Sequence, residues 1–330
     1  MGIIYDNWGR LLSSARIQVN TSCNLNCSFC HMEGVSRSSS TLSPDEIEKI
    51  IQAFRSFEVN KIKFTGGEPL MRSDIIDIVR RARRHITGDI SMTTNGILLP
   101  RYSTELKRAG LDRLNISMHG ADEETVRIIT GSSSLSRIKD GVLSAIDAGF
   151  KDIKLNFVVL RDLNESSISD MVEFASEYGL TLQLIELQSP REDEDSAYYR
   201  KYHHDLVAIE KEISSRAIFI GRNSLHYRPV YTIIHKGKTV KVEIVRPMHN
   251  PLFCSGCTRL RVTSTGKLKT CLLAKNDFVD IRSDLSGSDW LNRIREKIKI
   301  AMFLREPYWR KTHEVKNNVF CKIEGSGEHI

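Results

Sequence analysis

The sequence predicts an α/β fold: a partial (β/α)6 TIM-type barrel followed by a C-terminal α+β region. Three observations carry that expectation. Six short β-rich runs alternate with amphipathic runs of helical spacing between residue 16 and about residue 220. The alternation stops at an acidic, proline-containing stretch, and beyond it the chain changes to hairpin-like pairs of strands. Consecutive βα units argue for a parallel sheet, and right-handed crossovers curl such a sheet toward a barrel. The expected division is residues 1–225 for the partial barrel and 226–330 for the C-terminal region.

Taken in order, the expected barrel strands cover 16–21, 62–65, 89–94, 113–117, 153–160 and 181–187. The first helix, 43–57, opens SPDE, with Ser43 as N-cap and Pro44 at the first helical position. Ile47, Ile50, Ile51 and Phe54 recur along it at helical spacing, the mark of one buried face. Residues 74–85 and 135–148 repeat the pattern, and Gly149 suits the C-terminal stop of the second. The segment 188–199 reads as a loop and 199–215 as a helix. Next, 231–234 and 239–245 flank HKGK, while 259–263 and 267–272 flank STG, as hairpin arms do. A helix over 289–302 carries Trp290, Ile294, Ile298 and Met302 four apart. No repeat of 20–50 residues stands out beyond the βα alternation.

The chain has 330 residues, 40% hydrophobic and 27% charged, an ordinary globular balance. That length buries enough apolar surface to need no disulfide scaffold. No basic-then-apolar leader and no apolar run of about 18 or more residues is present. Asp6 stands where a myristoylation signal wants Ser or Thr. The expected compartment is therefore the cytoplasm, with no membrane partner. The formal charge of +7 fits scattered surface Lys and Arg, or a phosphate-rich substrate. Nucleic acid is disfavoured, because no basic helix with interleaved aromatics is present.

Six of the seven cysteines fall into two triplets more than 200 positions apart. In a reducing compartment such spacing reads as metal binding. Cys23, Cys27 and Cys30 form CxxxCxxC just after the first strand. Three soft thiolates on one loop can hold three irons of a [4Fe–4S] cube and leave the fourth open to a small molecule. Zinc would need a fourth ligand, and His31 adjoins Cys30 too closely for good tetrahedral geometry. Cys254, Cys257 and Cys271 form CxxC-x13-C across the second hairpin. This reads either as a second three-thiolate cluster or as a structural zinc knuckle completed by His249 or Cys321. The CTRLR segment shifts the balance toward a cluster. Arg259 and Arg261 share a strand face and suit phosphate or a carbonyl-rich ring.

CxxxCxΦC with Phe29 as the aromatic, followed by Thr65-Gly66-Gly67-Glu68-Pro69 at the end of the second strand, resembles the radical S-adenosylmethionine (SAM) superfamily. The resemblance implies a fold of the radical SAM class, with a cluster whose open iron binds SAM and cleaves it to a 5′-deoxyadenosyl radical. CxxCxRxR with a third Cys after thirteen intervening residues is similar to the GTP 3′,8-cyclase family of molybdenum cofactor biosynthesis. RIITG (127–131) also recurs in that family. This second resemblance spans residues 16 to about 273 and implies two [4Fe–4S] clusters. It further implies SAM contacts at Phe29, Gly67, Ser117 and Gln188, and GTP contacts at Arg16, Lys63, Thr93, Lys154, Arg259 and Arg261. The radical would take hydrogen from C3′ of GTP, and the ribose radical would add to C8. The second cluster would bind the guanine edge. Implied partners are GTP, an electron donor such as a ferredoxin or flavodoxin, and cyclic pyranopterin monophosphate synthase downstream; a homodimer is left open by the sequence.

The sequence departs from the family pattern in places. Ser117-Met118-His119 replaces SLD, so His119 reads as a surface histidine or a local substitution near the SAM ribose. Gln188 replaces a methionine, and the chain ends EGSGEHI without Gly-Gly. Cys321 reads as a plain buried thiol. Two rival readings are a radical SAM enzyme that modifies peptide or RNA, and a zinc-dependent nucleic-acid-binding protein. The first lacks an RxR arm, and the second leaves GGEP and the βα series unexplained.

Overall fold

A computed structural model of the chain describes residues 2–275 and 278–310. Cys321 and the EGSGEHI tail lie outside the described residues. Twelve strands are present among the described residues. They are β1 (Ser14–Gln18), β2 (Lys61–Thr65), β3 (Asp89–Thr94), β4 (Arg113–Ser117), β5 (Asp152–Val159) and β6 (Thr181–Glu186), then β7 (Ala217–Arg222), β8 (Pro229–His235), β9 (Lys238–Val245), β10 (Arg259–Val262), β11 (Lys267–Lys269) and β12 (Phe278–Asp280). They form one sheet in the order β12-β11-β10-β1-β2-β3-β4-β5-β6-β9-β8-β7, an open partial barrel. The six βα strands lie side by side and parallel, as the alternation predicts. The C-terminal strands extend the same sheet at both flanks: β10 joins β1 in parallel and β9 joins β6 in parallel.

Local chemistry sets the element ends. Ser43 Oγ accepts from the Glu46 amide at 3.2 Å, and Glu46 Oε2 accepts from the Ser43 amide at 2.7 Å, a closed capping box on helix Pro44–Arg55. Gly149 adopts φ +85° past helix Leu135–Asp147. The expected helix over 199–215 is two, Ala197–Tyr202 and Val207–Ser215. Asp205 Oδ1 accepts from the Val207 amide at 3.0 Å, so a side chain takes over a backbone donor and starts a new helix. The first strand stops at Gln18, and β7 joins the β8–β9 hairpin as an unforeseen third arm.

The core lies between the outer sheet face and the crossover helices. Ile62, Phe64, Ile90, Met92, Leu114, Ile116, Leu155 and Phe157 are buried there against Ile47, Ile51 and Phe54. The alternate positions of the same strands are polar: Lys63, Ser91, Asn115, Lys154. Parallel strands buried on both faces read as unbroken apolar runs. A strict period of two in parallel strands therefore means that the inner face borders a polar cavity.

One buried network ties the chain's beginning to its end. Asp6 Oδ2 accepts from Arg10 Nε at 2.8 Å and from Arg305 Nε at 2.7 Å. Arg305 is fully buried and also donates to the carbonyls of Arg10, Leu11 and Arg259, the last at the first residue of β10. Arg305→Ala leaves Asp6 with one partner fewer and three carbonyls without this donor. It is expected to lower unfolding free energy by about 3–5 kcal/mol, read as a lower urea midpoint at unchanged m-value.

Candidate active site

Strand register sets the inner face in rows. Arg261, Arg16, Lys63, Ser91 and Arg113 are successive cross-strand partners on β10, β1, β2, β3 and β4. A second row runs Thr93, Asn115, Lys154, and a third Ser117, Asn156, Gln183, Glu243. Neighbouring strands are about 4.8 Å apart, so the first row crowds cations together. All of these residues except Glu243 line a cavity of about 620 Å³. All sixteen residues singled out from the sequence border it: Arg16, Cys23, Cys27, Phe29, Cys30, Lys63, Gly67, Thr93, Ser117, Lys154, Gln188, Cys254, Cys257, Arg259, Arg261 and Cys271.

The two cysteine triplets face this cavity from opposite ends. Cys23, Cys27 and Cys30 follow the carboxyl end of β1. Cys254 and Cys257 precede the amino end of β10, which runs parallel to β1. Cys271 follows β11, which is antiparallel to β10 and so returns to that same amino end. Arg16, Arg259 and Arg261 therefore lie along the strands that separate the triplets.

The first thiol loop is held by backbone groups from three directions. The amides of Asn26 and Ser28 donate to the carbonyls of Thr130 and Ile129 at 2.9 Å each, which gives the RIITG motif a structural task. The GGEP loop packs on the residues that lead into the cysteines. A Cβ on Gly67 would lie 2.3 Å from the Ser22 carbonyl oxygen, and one on Gly66 would lie 2.1 Å from Asn20 Oδ1. Glu68 accepts from Thr94 Oγ1 and the Asn95 amide, both at 2.7 Å, and from the Leu70 amide at 3.0 Å. Asn95 Nδ2 then donates to Asn24 Oδ1 at 2.7 Å. Burial pushes the Cys27 thiol up to about 12, with Cys30 and Cys23 adding to the effect. A bound cation that stabilises thiolates fits this donor set.

Phe29 meets His119 edge to face, with centroids 4.7 Å apart. His119 is 5% exposed and borders the cavity, so the expectation of a surface histidine is corrected. It follows Met118 off the end of β4, and its Nδ1 accepts from the Val158 amide at 3.1 Å. Burial lowers its pKa to about 3, leaving a neutral ring with its proton on Nε2.

In the second triplet, the Cys257 amide donates to the Cys254 carbonyl at 3.1 Å and the Trp309 amide donates to Cys254 Sγ at 3.4 Å. Burial pushes the Cys254 thiol up to about 11, and Cys271 and Cys257 contribute. His249 is engaged elsewhere: Nε2 bonds Glu194 at 2.7 Å and the ring packs on Trp309.

Residues not singled out from the sequence complete the electrostatics. Glu33 Oε1 accepts from Arg16 Nη1 at 3.2 Å and Oε2 from Arg261 Nη1 at 2.6 Å. Glu243, fully buried, accepts from Lys154 Nζ at 2.5 Å and pairs with Arg228 at 2.9 Å. Lys63 Nζ donates to Asn115 Oδ1 at 2.6 Å. Burial lowers its pKa, and Arg113, Arg16, Arg259 and Arg228 lower it further. Arg259 has burial and the like charges of Arg16 and Arg261 against it, with Cys257 acting the other way. Glu33, three residues past Cys30, carries no periodic signal, and Glu243 within KVEIV looks like a solvent-facing strand position. For Arg113 the alternation in RLNIS was the available signal.

Comparison with known proteins agrees with this architecture. Residues 17–175 match the family model described as Radical SAM superfamily, and residues 180–311 match Molybdenum Cofactor Synthesis C. The chain is 51% identical to a probable GTP 3′,8-cyclase of Thermoplasma volcanium, over 96% of each protein. It is 41% identical to the corresponding protein of Thermococcus kodakarensis, covering 93% of this chain and all of that one. Among solved structures, the fold resembles SuiB of Streptococcus suis bound to the precursor peptide SuiA, at TM-score 0.63 and 15% identity over 87% of this chain and 68% of that one. It also resembles anSMEcpe with bound AdoMet, at TM-score 0.58 and 16% identity over 88% of this chain and 84% of that one. At such identities these likenesses concern the fold alone. On its sequence relatives and both family models, the chain belongs to the GTP 3′,8-cyclase family of the radical SAM superfamily.

Proposed function

We propose that this chain is a GTP 3′,8-cyclase, which converts GTP to (8S)-3′,8-cyclo-7,8-dihydroguanosine 5′-triphosphate in the first step of molybdenum cofactor biosynthesis. One observation carries the assignment beyond family membership: a row of cations on the inner sheet face, between two thiol triplets at opposite ends of one cavity. Bound at the two triplets, [4Fe–4S] clusters supply the electron for reductive cleavage of SAM at one end and an open iron for the guanine edge at the other.

The chain's own residues bind and orient. Cys23, Cys27 and Cys30 hold the first cluster, and Gly67, Phe29, Ser117 and Gln188 surround SAM. Cys254, Cys257 and Cys271 hold the second. Arg16, Lys63, Lys154, Arg259 and Arg261 take the triphosphate, and Thr93 lies on the same inner face. Guanidiniums bind phosphate oxygens as paired donors in a fixed fork, so the sugar is located as well as neutralised. Placement within about 0.5 Å decides which ribose hydrogen faces the radical. Residues 1–225 supply the SAM end and 226–330 the guanine end, with Arg16 and Lys63 reaching across.

The partners follow from this chemistry. A low-potential one-electron donor such as a ferredoxin or flavodoxin serves the clusters, and cyclic pyranopterin monophosphate synthase takes the product. Iron–sulfur chemistry suits a reducing cytoplasm. No helix among the described residues is long and apolar enough to cross a membrane. A homodimer finds support in the edge strand β7, where Ile218, Phe219 and Ile220 are exposed.

Cys257→Ser is expected to keep SAM cleavage while abolishing cyclised nucleotide, with iron falling from about eight to about four per chain. Full turnover in that variant would refute the second triplet's role. Arg261→Ala should raise the Kd for GTP about tenfold or more and leave the Kd for SAM within about twofold. Equal losses for both ligands would remove Arg261 from the triphosphate site.

A further inference from the structure

Glu33 sits on the turn Met32–Gly34, three residues beyond Cys30. Met32, Glu33 and Gly34 all take left-handed backbone, at φ +46°, +57° and +72°. Non-glycine residues adopt that region at a cost, and two in succession need something to hold them. Gly34 admits no side chain, because a Cβ there would lie 2.6 Å from the Leu272 carbonyl oxygen. The turn's own bonds are few: the Glu33 amide to His31 Nδ1 at 3.1 Å, the Gly34 amide to the His31 carbonyl at 2.7 Å, and the Val35 amide to the Met32 carbonyl at 3.3 Å. The Gln18 side-chain amide donates to the Met32 carbonyl at 3.4 Å, and the Glu33 carboxylate, clamped between Arg16 and Arg261, is the charged anchor.

Those two guanidiniums are among the groups assigned above to triphosphate, and all three side chains border the cavity. We propose that Glu33 is a built-in stand-in for substrate phosphate, which an arriving triphosphate displaces from Arg16 and Arg261, freeing the Met32–Gly34 turn next to Cys30.

The chemistry is competitive. Carboxylate and phosphate oxygens offer the same acceptors to a guanidinium fork. Burial pushes the Glu33 carboxyl up, but Arg16 and Arg261, with His31 and Arg259, outweigh it and bring it to about 2, so it is a full anion at any working pH. A triphosphate carries several charges and outcompetes one carboxylate. Left in place, Glu33 would set like charge beside it where water screens poorly. A ligand without phosphates brings no anion to compete with the carboxylate for the arginines, so Glu33 also filters against guanosine. The freed turn loses the two arginine contacts that help to hold its left-handed backbone, and the change reaches the thiol loop through three residues of chain. Arrival of substrate at the arginines is thereby felt at the SAM end.

The proposal rests on the GTP reading, and the experiment separates the two. Binding of inorganic tripolyphosphate, GTP and guanosine is measured at fixed ionic strength on reconstituted wild-type and Glu33→Gln protein. Amide hydrogen exchange over residues 31–35 is followed in the wild type. Glu33→Gln should bind tripolyphosphate and GTP about tenfold tighter with guanosine unchanged, and either phosphate ligand should speed exchange over 31–35 in the wild type. Weaker GTP binding in Glu33→Gln would mean that Glu33 orients the arginines, which overturns displacement and leaves the GTP reading standing. Phosphate binding with unchanged exchange also overturns it, as does failure of tripolyphosphate to bind either protein. Tighter tripolyphosphate binding in Glu33→Gln, with GTP bound by neither protein, would uphold displacement and overturn the GTP reading.

Discussion

The structure depends on one electrostatic constraint: strand register forces Arg261, Arg16 and Lys63 onto one level of the inner face of an open barrel. Like charges about 5 Å apart repel by about 3 kcal/mol at an effective dielectric of about 20, and backbone pairing leaves little room to separate them. Glu33 answers Arg16 and Arg261, Asn115 answers Lys63, and Glu243 answers Lys154 with Arg228. The outer face makes this arrangement affordable. Ile62, Phe64, Leu114, Ile116, Leu155 and Phe157 are buried beneath the helices and supply the apolar burial that a polar inner face forgoes.

The same division explains why the loops carry so much of the order. At the carboxyl ends of β1, β2 and β3 the chain has left the sheet, and its polar groups must find partners elsewhere. Glu68 collects Thr94 and Asn95, Asn95 reaches Asn24, and the last turn of helix Glu123–Thr130 offers two carbonyls to the cysteine loop. The thiols are thus set by a scaffold of backbone bonds. Each loop contact is modest by itself, about 1 kcal/mol, so precision comes from their number and from Gly66 and Gly67 permitting close approach.

Much of this was legible in the sequence. Capping at Ser43, the period of two in the strands and both cysteine spacings are local signals, and local signals survive without knowledge of neighbours. Two readings failed where a local pattern competes with a longer-range partner. Residues 199–215 look uniformly helical, yet Asp205 diverts the Val207 amide and His203 turns to Glu186. His119 looks like a surface residue because nothing nearby in sequence shows that the Val158 amide and the Phe29 ring enclose it.

By itself the sequence determined the six alternating βα units, the capped start of the first helix, and the soft donor types at Cys23–Cys30 and Cys254–Cys271. Only the tertiary structure decided that β10 enters the sheet beside β1. That single pairing brings Arg261 next to Arg16, sets two triplets more than 200 positions apart at the ends of one cavity, and gives both arginines to Glu33. The physical reason is that periodicity encodes which face a side chain takes. Which strand lies alongside is settled by the packing of the whole sheet, where contacts distant in sequence repay the entropy of bringing their ends together.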